Sequence, residues 1–220
     1  MEKHIIITKD GSSSLFLPQW NETYHSRFGA IQEAQHVFIK NGLWLVDQPN
    51  VSILEIGFGT GLNAFITFLE AQKTKQQINY IAVEAFPVEP QFISQLNYVS
   101  ELNAFDYQNI FNEMHLSNWN EFVALKSNFS LFKSLQNFED INYKSMFNLI
   151  YFDAFGFDVQ PDLWSVAIFE KMFASLLPCG LLVTYACRTV IKNNMKQAGF
   201  YVEKLPGAPG KREMLLARKI

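Results

Sequence analysis

The stretch VSILEIGFGTGLN, residues 51–63, decides the fold. Its apolar first half, residues 51–56, is typical of a strand buried on both faces, and it stops at Gly57. An apolar pattern with helical spacing follows from Leu62 to Leu69. Glycines at positions 57, 59 and 61 allow positive φ angles and leave no Cβ between the backbone and a ligand. Strand, glycine turn and helix together predict a nucleotide-type pocket at the N-terminus of the helix.

The residues around the turn indicate which nucleotide it binds. The glycines do not match the dinucleotide spacing G-x-G-x-x-G, and Glu55 beside them would repel a pyrophosphate but attract a cationic amino group. Glu84 ends the next apolar run, where a carboxylate can accept both hydroxyls of a ribose. These features predict a class I methyltransferase that uses S-adenosylmethionine, although an α/β turn that binds nothing stays open as an alternative. The predicted cofactor-binding residues here are Glu55, Gly57, Gly59, Gly61, Asn63 and Glu84.

Composition places the chain among ordinary soluble proteins. It has 220 residues, of which 49% are hydrophobic, enough for one α/β domain with a sizeable core. We expect residues 46–220 to form this domain and residues 1–45 to be appended to it. The net charge of −3 provides no overall basic field, so a nucleic acid must be held by a local patch. We expect no metal site, no membrane segment and a cytoplasmic location, because no ligand cluster, signal peptide or long apolar run is present.

Before the glycine turn, the sequence predicts a small β-hairpin and a functional loop. Residues 4–8 and 14–17 flank an Asp-Gly turn and are typical of two paired strands. The polar and aromatic loop that follows contains Tyr24 and His25, and a helical pattern begins near Ile31. We expect these two side chains at the mouth of the cofactor pocket. The alternative is that His25 only caps the helix.

After the turn, the pattern predicts a mostly parallel sheet that ends in an antiparallel hairpin. Strands are expected over residues 78–83, 130–135, 147–152, 181–185, 201–205 and 213–218, with helices over 87–97, 161–177 and 189–198. The aromatic side chains of residues 98–127 fit either a helical part of the core or a lid over the site, and we expect them to be part of the core. Asp153 follows a buried strand and should face the same crevice as the glycine turn, which makes it the leading catalytic candidate. Asn137 stands where class I methyltransferases commonly have an acid that accepts the adenine amino group, and its amide oxygen can still accept.

Four motifs resemble the methyltransferase domain of the bacterial MnmC family over nearly the whole chain. The motifs are Thr23-Tyr24-His25-Ser26, the glycine turn from Glu55 to Asn63, Asp153-Ala154-Phe155 with Pro161-Asp162-Leu163-Trp164, and Pro206-Gly207-Ala208-Pro209-Gly210-Lys211-Arg212-Glu213-Met214-Leu215. The third motif departs from the family pattern, because Gly156 and Phe157 follow Phe155 where the family has a small residue and a proline.

The resemblance implies methylation of the aminomethyl group on 5-aminomethyl-2-thiouridine at the tRNA wobble position. Two-domain members continue into a flavin oxidoreductase, so a chain ending at Ile220 resembles a stand-alone form whose oxidoreductase partner is a separate protein. Asp153 is then expected to accept the amine N–H bonds and orient the lone pair. Tyr24, His25, Phe155 and Trp164 are expected to contact the substrate, with Phe155 or Trp164 stacking on the uracil, unless these two aromatic side chains only pack in the core. Arg188, Lys211 and Arg212 are expected to bind tRNA phosphates, unless they are a helix start and solvated turn residues.

Other functions fit parts of the same pattern. A small-molecule amine methyltransferase shares every cofactor feature. An aminopropyltransferase of the spermidine-synthase type uses the same sheet and a similarly placed aspartate, but would need further acids for its polyamine. A non-catalytic tRNA-binding protein would not depend on Gly59 or Asp153.

Overall fold

The computed structural model describes all 220 residues, which form a small sheet of three strands and a large sheet of eight. The strands are His4–Ile7 (β1), Ser13–Leu17 (β2), Glu22–Thr23 (β3), Asn50–Ile56 (β4), Gln77–Glu84 (β5), Phe122–Lys126 (β6), Phe129–Leu135 (β7), Phe147–Phe152 (β8), Leu176–Thr184 (β9), Tyr201–Pro206 (β10) and Glu213–Arg218 (β11). The α-helices are Ala30–Ala34 (α1), Leu62–Thr74 (α2), Pro90–Ile93 (α3), Tyr98–Glu101 (α4), Gln108–Leu116 (α5), Val166–Ser175 (α6) and Thr189–Gln197 (α7). A π-helical turn, Gln35–Lys40, continues α1, and short 3-10 turns lie at Leu43–Leu45, Phe105–Tyr107, Phe138–Asp140 and Pro161–Trp164.

The large sheet has the order β10-β11-β9-β8-β4-β5-β7-β6. Strands β9, β8, β4, β5 and β7 pair in parallel, whereas β11 pairs antiparallel with both β9 and β10. This is the predicted Rossmann-like sheet with its antiparallel C-terminal hairpin. The predicted N-terminal hairpin, β1 with β2, is also confirmed, and β3 adds a third strand to it. Because β4 lies between β5 and β8, the order reverses there and opens a crevice at the carboxyl ends of these strands.

Helices cover both faces of the large sheet and give it two apolar layers. Successive strand residues point to opposite faces, so Ile53 packs with α2 in one layer while Leu54 packs with α6 in the other. Both layers exclude water, with Ile53 and Leu54 each 0% exposed. The strand ends are thereby fixed relative to one another, and the polar residues that follow them are positioned without needing flexible loops.

The predicted helix over residues 87–97 is wrong in extent. Only α3, a single turn that begins at Pro90, forms there, and α4 begins at Tyr98. The break lies at Asn97, whose Oδ1 accepts from Ser13 N at 2.7 Å and whose Nδ2 donates to Gly11 O at 2.9 Å. These contacts with the N-terminal hairpin fix Asn97 outside a continuous helix, which local periodicity does not reveal.

The stretch 98–127 is partly core and partly surface. Phe111 on α5 is 3% exposed, but Phe105 and Phe122 are 65% and 70% exposed. Phe122 begins β6, an edge strand that the sequence did not predict. Strand β9 also begins five residues earlier than predicted, at Leu176, because an irregular register with β8 accommodates the Pro-Cys-Gly segment.

The helices and the titratable side chains show neither a membrane span nor a metal cluster. None of the helices combines the length and apolarity that crossing a bilayer requires. No cluster of three or more His, Cys, Asp or Glu side chains is arranged to hold a metal ion. The cytoplasmic location and the division at residue 45 stay predictions.

Candidate active site

A cavity of about 690 Å³ opens at the carboxyl ends of β4, β5 and β8. This volume lies in the range of about 300–1,000 Å³ that is usual for small-molecule sites. The loop between β3 and α1 covers part of it. Its lining includes most of the predicted site residues: Tyr24, His25, Gly57, Gly59, Asn63, Glu84, Asn137, Asp153 and Phe155.

The three glycines of the turn have different structural roles. Gly57, at φ 91°, lets the turn pass the end of β8, since a Cβ there would lie 2.7 Å from Asp153 O. Gly59 faces the cavity, and its N–H donates to Glu84 Oε2 at 3.0 Å. Gly61 does not line the cavity, and a Cβ there would lie 2.9 Å from His115 Nε2. Gly61 is therefore needed for packing at the start of α2, and its predicted contact with the cofactor stays a prediction.

Glu84 is fixed at the end of β5 by two backbone groups. Besides the bond from Gly59, its Oε1 accepts from Phe86 N at 2.8 Å. Each carboxylate oxygen retains a free lone pair toward the cavity, so the predicted ribose contact is geometrically open. Asn137 lines the same side of the cavity after β7, with its Nδ2 3.3 Å from Asp140 Oδ2. This donor contact leaves the Asn137 Oδ1 free to accept.

Asn63 connects two carboxyl groups at the base of the cavity. Its Nδ2 donates to Glu55 Oε1 at 3.0 Å and to Asp153 Oδ2 at 2.8 Å, while its own Oδ1 is buried without a partner. Glu55 is 0% exposed and does not line the cavity. Its Oε2 is buried without a partner, and the predicted contact between Glu55 and a ligand amino group stays a prediction. Burial raises the pKa of Glu55 well above its usual value, and Glu55 acts on the cavity by orienting Asn63.

Asp153 lies where the end of β8 meets the cavity. Burial, followed by the nearby Glu33 carboxylate, raises the pKa of Asp153 to about 7, and this rise is opposed by the bond from Asn63 and by the Lys211 ammonium. Lys211 forms an ion pair with Glu33 and lies 3.9 Å from the centre of the Tyr185 ring. A carboxyl group with this pKa exchanges its proton near neutral pH, which suits a group that accepts N–H bonds or a proton from an amine.

The raised pKa of Asp153 predicts how its replacement changes stability. The folded state favours the protonated carboxyl, so the wild-type protein loses stability as pH rises from the unfolded pKa, near 3.8, through about 7. Asp153→Asn keeps an acceptor oxygen for Asn63 and removes the charge. We expect the variant to melt at a higher temperature than wild type at pH 8, with the difference shrinking toward pH 5. Thermal unfolding of the ligand-free proteins, followed by circular dichroism at both pH values, measures this. A gain that is the same at both pH values contradicts it.

The loop before α1 places Tyr24 and His25 as the sequence predicted, at the cavity. Tyr24 lies over the turn, where a Cβ on Gly59 would be 3.3 Å from its ring, and it packs edge-on against Phe155 at 5.0 Å. His25 Nδ1 lies 3.1 Å from Ser14 Oγ. Burial lowers the pKa of His25 to about 4, so the ring is neutral at pH 7. His25 therefore anchors the loop rather than supplying a charge.

Phe155 and Trp164 have different environments. Phe155 lines the cavity beside Trp20, with ring centres 5.3 Å apart. Trp164 is 0% exposed and packs against Phe152, and its Nε1 donates to Phe155 O at 2.9 Å. The prediction that Trp164 stacks on a substrate base is wrong, because the ring is enclosed by core side chains. Its hydrogen bond instead fixes the loop that carries Phe155.

The three predicted phosphate-binding cations are not equivalent. Lys211 is engaged with Glu33, and Arg188 is paired with Asp158 at the start of α7. Arg212 is exposed and makes no ion pair. The predicted phosphate contact of Lys211 stays a prediction, and its ion-pair partner Glu33 lies 178 residues away in the chain.

Sequence reasoning missed two residues that shape the site. Tyr185, just after β9, lines the cavity and donates from its hydroxyl to Ala154 O at 2.8 Å. Glu33 is 7% exposed on α1 and accepts from Ser26 N at 2.8 Å as well as from Lys211. A carboxylate within the apolar pattern of Ile31 and Ala34 was the available signal for Glu33, since a buried acid needs a partner.

Comparisons with known proteins give one family. Residues 109–220 match the family described as S-adenosyl-L-methionine-dependent methyltransferase. The chain is 30% identical over 214 residues to the tRNA 5-methylaminomethyl-2-thiouridine biosynthesis bifunctional protein MnmC of Leptospira interrogans, which covers 90% of this chain and 32% of that protein. It is 29% identical over 218 residues to the MnmC protein of Delftia acidovorans, and the match covers 92% of this chain and 33% of that protein. The chain thus spans about a third of the length of these curated relatives.

Solved structures share the fold. The crystal structure of MNMC2 from Aquifex aeolicus superposes with a TM-score of 0.73 and 21% identity, covering 98% of this chain and 70% of that one. Spermidine synthase from Thermotoga maritima superposes with a TM-score of 0.55 and 12% identity, and the match covers 95% of this chain and 69% of that chain. At these identities the superpositions concern the arrangement of the sheet and helices alone.

Proposed function

This chain belongs to the family of S-adenosyl-L-methionine-dependent methyltransferases, as a protein of the MnmC methyltransferase-domain type, and from that premise we propose that it methylates the aminomethyl group of 5-aminomethyl-2-thiouridine at the tRNA wobble position. The observation that carries the proposal is Asp153, a carboxyl group with a pKa of about 7 at the edge of the cavity. A primary amine is the acceptor that such a group serves, because it must lose a proton before it can attack.

The cavity residues fit the cofactor. Asn63 Oδ1 and Glu55 Oε2 are both buried acceptors without a partner, and Asn63 is the one of the two that lines the cavity, so it suits the ammonium of the cofactor. Glu84 suits the ribose hydroxyls, and Asn137 suits the adenine amino group. Gly59 leaves its backbone open to the ligand. When bound, S-adenosyl-L-methionine supplies a methyl group already activated by its sulfonium.

The remaining work of the protein is to position and deprotonate the acceptor. Asp153 accepts the N–H bonds of the amine and orients its lone pair, and positioning of this kind is worth on the order of 7 kcal/mol or more of the barrier. Asn63 fixes the Asp153 carboxylate through one oxygen and leaves the other free for the amine. Phe155, whose ring stands nearly perpendicular to those of Trp20 and Tyr24, provides an aromatic surface at the cavity for the uracil.

The tRNA substrate is tested by transfer of a labelled methyl group. We expect the purified protein to methylate bulk tRNA from a strain that lacks this activity, with 5-methylaminomethyl-2-thiouridine as the product found by mass spectrometry of the nucleosides. Methylation of free amines but not of tRNA would replace the proposal with a small-molecule methyltransferase. Polyamine formation from decarboxylated cofactor and putrescine would replace it with an aminopropyltransferase. Binding of tRNA without any transfer would indicate a non-catalytic protein.

The same proposal implies where the substrate comes from. An aminomethyl group is generated from a larger substituent by an oxidoreductase, which the bifunctional relatives are expected to carry in the same chain. We propose that this protein acts in the cytoplasm together with a flavin oxidoreductase. Adding that class of enzyme to the assay should increase methyl transfer when the tRNA carries the larger substituent, and should change nothing when the aminomethyl group is already present.

A further inference from the structure

Three cations near the cavity lack acidic partners. Lys9, Arg27 and Arg212 are exposed, and none of them forms an ion pair. Most other cations near the site are already engaged, as the pairs of Lys3 with Glu89 and of Lys211 with Glu33 illustrate. An unpaired cation keeps its charge available to an incoming anion.

Lys9 lies over one exposed aromatic ring, while the Arg27 guanidinium lies 5.0 Å from the centre of the Phe16 ring. Phe28 is 44% exposed, and Lys9 Nζ lies 4.5 Å from the centre of its ring. Lys9 N donates to Arg27 O at 3.0 Å, which joins the two cations through the backbone. The Phe28 ring lies directly against Gly210, two residues before Arg212. The N-terminal loop and the β10–β11 hairpin thus form one continuous surface, which we call the basic rim: Lys9, Arg27, Phe28 and Arg212.

The basic rim adjoins the acceptor side of the cavity. Arg27 follows Tyr24 and His25, which line the cavity, within the same loop. Arg212 follows Lys211, whose ammonium lies over the Tyr185 ring at the cavity wall. The rim is therefore within reach of a polymer that has a base inserted toward Asp153.

Resting on the proposed function, we propose that the basic rim is the surface on which the RNA backbone next to the modified nucleotide docks. The occupant follows from charge complementarity, because three free cations in a chain of net charge −3 form a local positive field suited to phosphates. The exposed Phe28 ring adds a face for a neighbouring unpaired base. Neither an apolar partner nor a basic protein would be attracted to this combination.

The test compares two triple variants with the same change in charge. The first is Lys9→Ala with Arg27→Ala and Arg212→Ala. The matched control is Lys126→Ala, Lys144→Ala and Lys196→Ala, which removes three exposed, unpaired cations. The control positions lie at the end of β6, before β8 and in the last turn of α7. All three are at the end of the sheet where the parallel strands begin, which is the end opposite the cavity. Both variants are assayed with the tRNA used for methyl transfer.

We expect the rim variant to bind tRNA about tenfold or more weakly near 0.15 M salt, with the slope of log K against log salt reduced by about 2–3 units. The control should keep the wild-type slope to within about one unit. Both variants should bind S-adenosyl-L-methionine as wild type does, by calorimetry, which shows that they fold. Phe28→Leu keeps an apolar contact with Gly210 and removes the ring. It should weaken tRNA binding about fivefold or more at an unchanged salt slope.

The outcomes separate this proposal from the function. If wild type methylates tRNA and the rim variant keeps the wild-type salt slope, the docking surface is wrong while the function stands. Equal losses in the rim and control variants also overturn it, because a general charge effect then explains both. If wild type transfers no methyl group to tRNA, the function itself fails.

Discussion

Replacement of Asp153 by asparagine is expected to lower the single-turnover rate of methyl transfer to tRNA by at least about 100-fold and up to about 10,000-fold. The variant retains the oxygen that accepts from Asn63 Nδ2, so the geometry of the cavity is preserved. It loses both the charge that favours a cationic amine and the basic site that can take its proton. The measurement is rapid quench with labelled cofactor and saturating enzyme, which isolates the chemical step from product release.

The control for this experiment is cofactor binding. Affinity for S-adenosyl-L-methionine should remain within about tenfold of wild type, because the proposed role of Asp153 concerns the acceptor. Asp153→Ala should show the same loss of rate. A near-normal rate in either variant would refute the role assigned to Asp153, and another group at the cavity would then have to accept the proton.

Trp164→Ala is expected to lower the free energy of unfolding by about 3–5 kcal/mol. Trp164 is 0% exposed and packs against Phe152, Phe169 and Tyr185, so its removal leaves a cavity in the layer beneath β8. It also leaves Phe155 O without the donor that lies 2.9 Å away in the wild type. Urea unfolding at pH 7, followed by fluorescence of the remaining tryptophans, measures the change.

Phe155→Ala is the matched comparison. Phe155 faces the cavity, so its truncation should cost less stability than that of Trp164 and should raise the KM for tRNA. Trp164→Phe keeps most of the buried volume and should transfer methyl groups at a rate within about tenfold of wild type. If Trp164→Ala were as stable as wild type but unable to bind tRNA, Trp164 would be a substrate contact, and its place in the core would be wrong.

Local sequence patterns were sufficient for the parts of the site that depend on a single strand end. The strand, glycine turn and helix from Asn50 to Thr74 follow from periodicity and glycine spacing, because both are properties of neighbouring residues. Asp153 could be located because parallel strands end at a common edge. These rules give the end of a strand, but not the direction in which a side chain points once neighbouring elements pack.

Sequence patterns are least informative where a distant partner decides the environment of a side chain. Glu55 precedes the turn and carries the charge that the cofactor calls for, yet Asn63 lies between it and the cavity. Trp164 belongs to a motif next to the site, but the 3-10 turn that contains it directs the ring into the core. The pairing of Lys211 with Glu33 joins the last hairpin to the first helix, and no local pattern records a contact of that sequence separation.

The position of β11 has a consequence for the order in which the site can form during protein synthesis. Although β11 is the last strand of the large sheet along the chain, it lies between β9 and β10. A nascent chain that has emerged only to residue 200 has the glycine turn, Glu84 and Asp153, but lacks the hairpin that supplies Lys211 to Glu33. The residues assigned to the cofactor are therefore all synthesised before the last hairpin, whereas the acceptor side also needs the contact between Lys211 and Glu33. A ribosome-bound intermediate of this length should bind S-adenosyl-L-methionine before it can act on any RNA.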